Sequence, residues 1–129
     1  MPPCHDTMPD PDPLLPLAQR LEAFAQARDW KPFHAPKNLA SALVVEAGEL
    51  LEHFQWLSEE QSHRLDAPRK AAVAAEMADV LLYLVQLATA LQVDLMDAAW
   101  QKIDANALKY PAKHAEPPAP DPAADALRR

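Results

Sequence analysis

Two pairs of carboxylates are the residues best placed to do chemistry. Glu46-x-x-Glu49 sits in Val45-Glu46-Ala47-Gly48-Glu49-Leu50-Leu51-Glu52-His53-Phe54, and Glu76-x-x-Asp79 sits in Ala75-Glu76-Met77-Ala78-Asp79-Val80. Both pairs interrupt apolar patterns of helical period, where residues i and i+3 share a face. Glu46 and Glu49 therefore project together, and so do Glu76 and Asp79. Acids gathered at one place repel unless they are protonated or neutralised. An all-oxygen set of this kind suits Mg²⁺, with Mn²⁺ as the substitute. The plainer reading is a pair of solvated helix faces. Against it, no Lys or Arg follows four positions on, where Leu50, His53, Val80 and Tyr83 stand instead, and an ionised acid among Leu, Val and Ala needs some partner. A di-iron bundle would need Glu-x-x-His on two helices. Leu50, not Glu, lies three positions before His53, and the second acidic stretch has no His.

These pairs need helices to carry them, and the chain supplies four. Leu14, Leu17, Leu21 and Phe24 recur at helical spacing and predict a first helix from about Leu14 to Arg28. Asp29-Trp30-Lys31-Pro32-Phe33-His34-Ala35-Pro36 then reads as a loop, since each proline disfavours helix at the residue before it. A second helix follows from Lys37 or Asn38 to about Trp56, with Leu39, Leu43, Ala47, Leu50, Phe54 and Leu57 on one stripe. Glu46, Glu49, His53 and Trp56 form the other. Ser58-Glu59-Glu60-Gln61 fits a capping box. Asp66-Ala67-Pro68 opens a third helix to about Leu91, with Val73, Met77, Val80, Leu84, Leu87 and Leu91 on one side. Glu76, Asp79, Tyr83 and Gln86 lie on another. A fourth helix runs from a cap at Asp94 through Lys109, with Trp100 on its apolar stripe as core, and Tyr110-Pro111 ends it. The expected architecture is an all-α bundle of about four helices over 14–110. Pro-rich tails at 1–13 and 111–129 read as disordered, and Met8 is an alternative start.

Composition agrees with helices: half the residues are hydrophobic, only 6% are aromatic, and there is one Gly. A net charge of −7 argues against nucleic acid as a partner, because phosphates need a basic surface. Cys4 is the sole cysteine, which excludes disulfides and Cys-based metal sites. The start of the chain has no secretory pattern. The most apolar run, Val80–Leu91, is expected to be too short to span a bilayer. A cytoplasmic protein without a membrane partner is the expectation. Helices apolar on more than one side, in a chain this small, predict at least a dimer.

Other residues suit a nucleotide. Trp30 and Trp56 are planar groups on which a base stacks, unless they fill core. His34 either orients a base or is a satisfied loop histidine. Lys37 and Asn38, at the start of the second helix, are within reach of a phosphate. Lys102 and Asn106 are one turn apart on the last helix, where the lysine either meets phosphate or is solvated.

Taken together, the motifs resemble the MazG-like all-α nucleoside triphosphate pyrophosphohydrolases. The acidic signature carries the resemblance to the superfamily. Arg28-Asp29-Trp30-x-x-Phe33-His34-x-Pro36-Lys37-Asn38-Leu39, Phe54-Gln55-Trp56 and Lys102-x-Asp104-x-Asn106-x-x-x-Tyr110-Pro111 are similar to its dCTP pyrophosphatase branch. The resemblance spans about Leu21 to Pro111. It implies hydrolysis at the α-phosphate of a nucleoside triphosphate, dCTP or a modified dCTP first, to the monophosphate and pyrophosphate, as nucleotide-pool sanitation. By the same resemblance Glu46, Glu49, Glu76 and Asp79 bind the metal, and either Glu46 or Glu49 is the general base. Lys102 and Asn106 meet the nucleotide, Tyr83 packs under the deoxyribose, and the chain is a homodimer or homotetramer. Two alternatives stand beside this: the same reaction on dUTP or a broad nucleotide set, and a non-catalytic helical interaction module.

Overall fold

The computed structural model describes residues 12–116, and among them all regular structure is helical. Five α-helices follow one another: α1 (Leu15–Ala27), α2 (Pro36–Glu52), the single turn α3 (Glu59–Ser62), α4 (Ala67–Leu91) and α5 (Leu95–Lys109). A short 3₁₀ helix, Lys31–Phe33, lies in the segment expected to be only loop. The expected tails fall outside the described residues except for 12–13 and 111–116, which form no helix.

Local chemistry accounts for most boundaries. Ser58 accepts from the Gln61 N–H at 3.1 Å while Gln61 accepts from the Ser58 N–H at 2.9 Å, completing the expected capping box. Asp66 accepts from the Arg69 N–H at 2.9 Å, with Pro68 in the first turn of α4 where no N–H is missed. The C-terminus of α1 is a Schellman motif: Trp30 N–H bonds the Ala25 carbonyl at 3.0 Å and Asp29 N–H bonds that of Gln26 at 3.2 Å. Asp29 takes the left-handed residue's place with φ 55°. Gln92, also at φ 55°, ends α4 by the same pattern, with Val93 N–H on the Ala88 carbonyl.

The chain divides into two compact units between Met96 and Asp97. In the first, α4 is the central helix: α2 packs along it and α1 also packs on it. The buried core is Ala25, Leu39, Val73 and Val85, with Leu39 only 2% exposed. Leu14, just before α1, and Leu15 and Ala18 of α1 gather near Val85, Ala88 and Thr89 of α4. Val85 lies off the stripe expected for this helix, because α4 packs on two neighbours and needs two apolar faces. With two apolar faces, α4 holds an 18-residue stretch apolar enough by length and composition to cross a bilayer, as the core helix of a folded domain also does. Glu76 and Asp79 lie within this helix.

Two expectations of burial or extent are corrected. The second helix stops at Glu52, not Trp56, as i→i+3 bonds from His53, Phe54 and Leu57 to Leu50, Leu51 and Phe54 tighten the chain into turns leading to the Ser58 cap. Trp100, expected as core, is 56% exposed. An apolar stripe signals that a helix suits burial, not what covers it. Elsewhere Val44 and Leu51 of α2, and Met77 and Leu81 of α4, are exposed, Val44 at 71% and Met77 at 57%.

Candidate active site

The carboxylates converge where α2 faces α4. Helical spacing turns Glu46 and Glu49 to one side of α2, and packing of α2 on α4 brings Glu76 against them. One ligating oxygen from each of Glu46, Glu49 and Glu76 lies within 4.8 Å of the others. Glu46 and Glu76 are half-buried, and each has one carboxylate oxygen, Oε2, buried with no hydrogen-bond partner. Buried acceptors are rarely left so.

Electrostatics at Glu46 records the crowding. A hydrogen bond shared with Glu49, then partial burial, a hydrogen bond to Glu76 and repulsion from Glu49 and Asp79 push its pKa from 4.5 to about 7. The oxygens therefore favour a positive charge among them. Three convergent carboxylates with two unpaired buried oxygens fit a hard divalent cation, which takes oxygen ligands. Glu46, Glu49 and Glu76 would hold it, with Asp79 adding charge beside Glu46.

Beside the acids opens a cleft of about 480 Å³, lined by Glu46 and Asp79 at one end and by Phe24, Trp30, His34 and Tyr83 along its walls. The Schellman turn places Trp30 against the preceding helix, where its ring meets Phe24 edge-on at 5.6 Å and 67°. Arg28 covers the Phe24 ring at 3.4 Å from the centroid and donates to the Phe24 carbonyl at 3.2 Å. Trp30 is thus set by the backbone turn that ends α1 and by the Phe24 ring, which Arg28 in turn covers.

Trp30, His34, Glu46, Asp79 and Tyr83 are drawn to one cleft, with Glu49 and Glu76 at its acidic end. Trp56 is placed otherwise. It stands in the turn after α2, 87% exposed and away from the cleft lining, so the face it was expected to share with Glu49 does not extend to it. Lys37 and Asn38 are exposed on the first turn of α2, and Asn38 Nδ2 donates to the Phe33 carbonyl at 3.2 Å, tying the 3₁₀ segment to the helix. Lys102 and Asn106 are exposed on α5, in the second unit. Phe24 and Arg20 line the cleft without having been singled out. Phe24 was legible only as a core position of α1, and nothing in spacing or type marks Arg20.

Described residues that form only helices, with cofacial acid pairs on two packed ones, define a class, and the comparisons agree: the chain belongs to the MazG-like family, whose model matches residues 42–117. Among curated relatives, dCTP pyrophosphatase 1 of Mus musculus is 48% identical over 104 residues, covering 78% of this chain and 61% of its own length. The Homo sapiens protein of the same name is 49% identical over 105 residues, covering 79% and 62%. The chain thus spans about three fifths of these relatives. A crystal structure of a pyrophosphatase from Archaeoglobus fulgidus superposes with a TM-score of 0.72 at 38% identity, covering 75% of this chain and 91% of that one.

Proposed function

We propose that this protein is a Mg²⁺-dependent nucleoside triphosphate pyrophosphohydrolase that converts dCTP, or a base-modified dCTP, to the monophosphate and pyrophosphate, clearing it from the nucleotide pool in the cytoplasm. The observation that carries the reading is three carboxylates within 4.8 Å at one end of a cleft walled by aromatic rings. The names of the murine and human relatives support the substrate.

In this reading Glu46, Glu49, Glu76 and Asp79 hold Mg²⁺, or Mn²⁺ in its place. A cation held by these residues would supply screening of the triphosphate and of the charge on the leaving pyrophosphate. Glu46 or Glu49 takes a proton from water as its oxygen bonds the α-phosphorus. The bond from that phosphorus to the bridging oxygen breaks, and its electron pair leaves with pyrophosphate. Trp30 stacks on the base, His34 orients it and Tyr83 packs under the deoxyribose, while Trp56 is a further stacking candidate. Lys37, Asn38, Lys102 and Asn106 contact the phosphates. The chain acts as a homodimer or homotetramer, which covers the exposed apolar residues of α2 and α4, and takes neither nucleic acid nor a membrane as partner.

The test is pyrophosphate release with Mg²⁺ across all dNTPs and NTPs, beside Glu49→Gln. Fast release from dCTP that falls at least a hundredfold in the variant is the expected result. Release spread evenly over many nucleotides would keep the reaction and discard the base assignment. No release from a folded protein would leave the acids as a binding surface of a non-catalytic module.

A further inference from the structure

Gln86 has no part in the reaction drawn above, yet it lines the same cleft as Glu46 and Asp79. It lies two turns after Asp79 on α4, about 10 Å along the axis at the rise of an α-helix. Gln86 lines both the 480 Å³ cleft and a pocket of about 270 Å³ that shares Leu21, Ala25 and His34 with it. Its Oε1 is buried without a hydrogen-bond partner, an arrangement proteins seldom leave uncompensated. Two donors in the adjoining pocket are already engaged. Thr89 Oγ1 donates to the Val85 carbonyl at 3.0 Å, and the Lys31 ammonium pairs with Glu22. Much of the remaining wall is aliphatic, including Leu17, Leu21, Ala25 and Leu82.

We propose that Gln86 is the specificity-determining residue of this cleft and reads the Watson–Crick edge of the base, its Oε1 accepting a hydrogen bond from the exocyclic amine of cytosine. The inference rests on the cleft being the nucleotide site proposed above. The separation of Gln86 from Asp79 along α4 is about the distance from a nucleotide's α-phosphate to the exocyclic edge of its base, so phosphates held at the acids carry that edge toward the amide. A flat ring stacked on Trp30 arrives edge-first. Cytosine offers there an N4 amine, a donor, beside N3, an acceptor, and the Oε1 and Nε2 of one amide complement that pair. Uracil offers the reverse order and would require the amide to turn over. Stacking on aromatic walls with a polar group at the base edge is the general way a pocket reads a lone base.

The experiment is binding of the non-cleavable α,β-imido analogues of dCTP and dUTP, with Mn²⁺, to the full chain and to Gln86→Met, by isothermal titration. The wild-type chain is expected to prefer the cytosine analogue. The variant should lose about 5- to 150-fold of that preference, the range that a bidentate amide–base pair contributes. Its melting temperature should hold or rise, since an unpaired buried acceptor has been replaced by an apolar chain of similar length. Its Mn²⁺ binding without nucleotide should not change. A glutamine that merely held helices together would instead lower the melting temperature and leave the preference alone. Equal loss for both analogues, an unchanged ratio, or a wild-type chain that binds neither analogue or prefers uracil would overturn the proposal. Because nothing is cleaved, absence of pyrophosphate release would sink the activity without touching this result.

Discussion

A carboxyl group that keeps its proton to about pH 7, as Glu46 does, makes the stability of the metal-free chain depend on pH in an unusual direction. Between about 4.5 and 7 the folded chain binds this proton more tightly than the unfolded chain, so stability falls as pH rises through that window and the penalty is complete above it. Melting temperatures measured with EDTA should accordingly drop from pH 5 to pH 8. Glu46→Gln, which removes the charge and keeps the shape, should raise the value at pH 8 and flatten the Glu46 contribution to the slope. A flat wild-type profile would show that the acids do not crowd as described. At this scale the sequence was readable wherever direction followed from helical period. Cofacial acids on two helices need only the turn angle. Gln86 shared their face in the sequence, but the lack of a donor for its Oε1 is a property of its neighbours in space.

Elements were legible where a side chain caps a backbone, and less so where tertiary packing decides. Ser58, Gln61 and Asp66 mark their helix starts in sequence because each supplies the oxygen an orphan N–H needs. The stop of α2 at Glu52 was not legible, since its apolar spacing continues to Leu57 while the chain tightens toward the Ser58 cap. That early stop leaves Trp56 in the turn after α2 rather than on the helix that carries Glu46 and Glu49. The end of α1 was legible only in part. Asp29 occupies the left-handed position without being glycine, which Asp tolerates better than most residues. Asp29→Val should cost about 1–2 kcal/mol in denaturant unfolding, from a β-branched residue forced to positive φ. It should also raise the KM for the nucleotide, because Trp30 is positioned by that turn. Asp29→Asn should change neither by much.

At the scale of the whole molecule, the all-α class followed from apolar period and scarcity of glycine. The exposed apolar residues of α2 and α4 showed in sequence only as helices apolar on more than one side. The acidic junction joins α2 to α4, which share the main packing of the first unit. A cation bound there stabilises the folded chain by mass action. The melting temperature at pH 8 should climb with the logarithm of Mn²⁺ concentration above Kd, and Glu76→Gln should blunt the climb. A metal-independent melting temperature would remove the cation from the reading. On the proposed metal role, Glu46 and Glu76 would tie catalytic competence to persistence of the chain. In a cell short of divalent metal, the repelled helices would open more often and meet proteases more often. Scarcity would then register as fewer copies of the protein rather than as idle copies awaiting their ion.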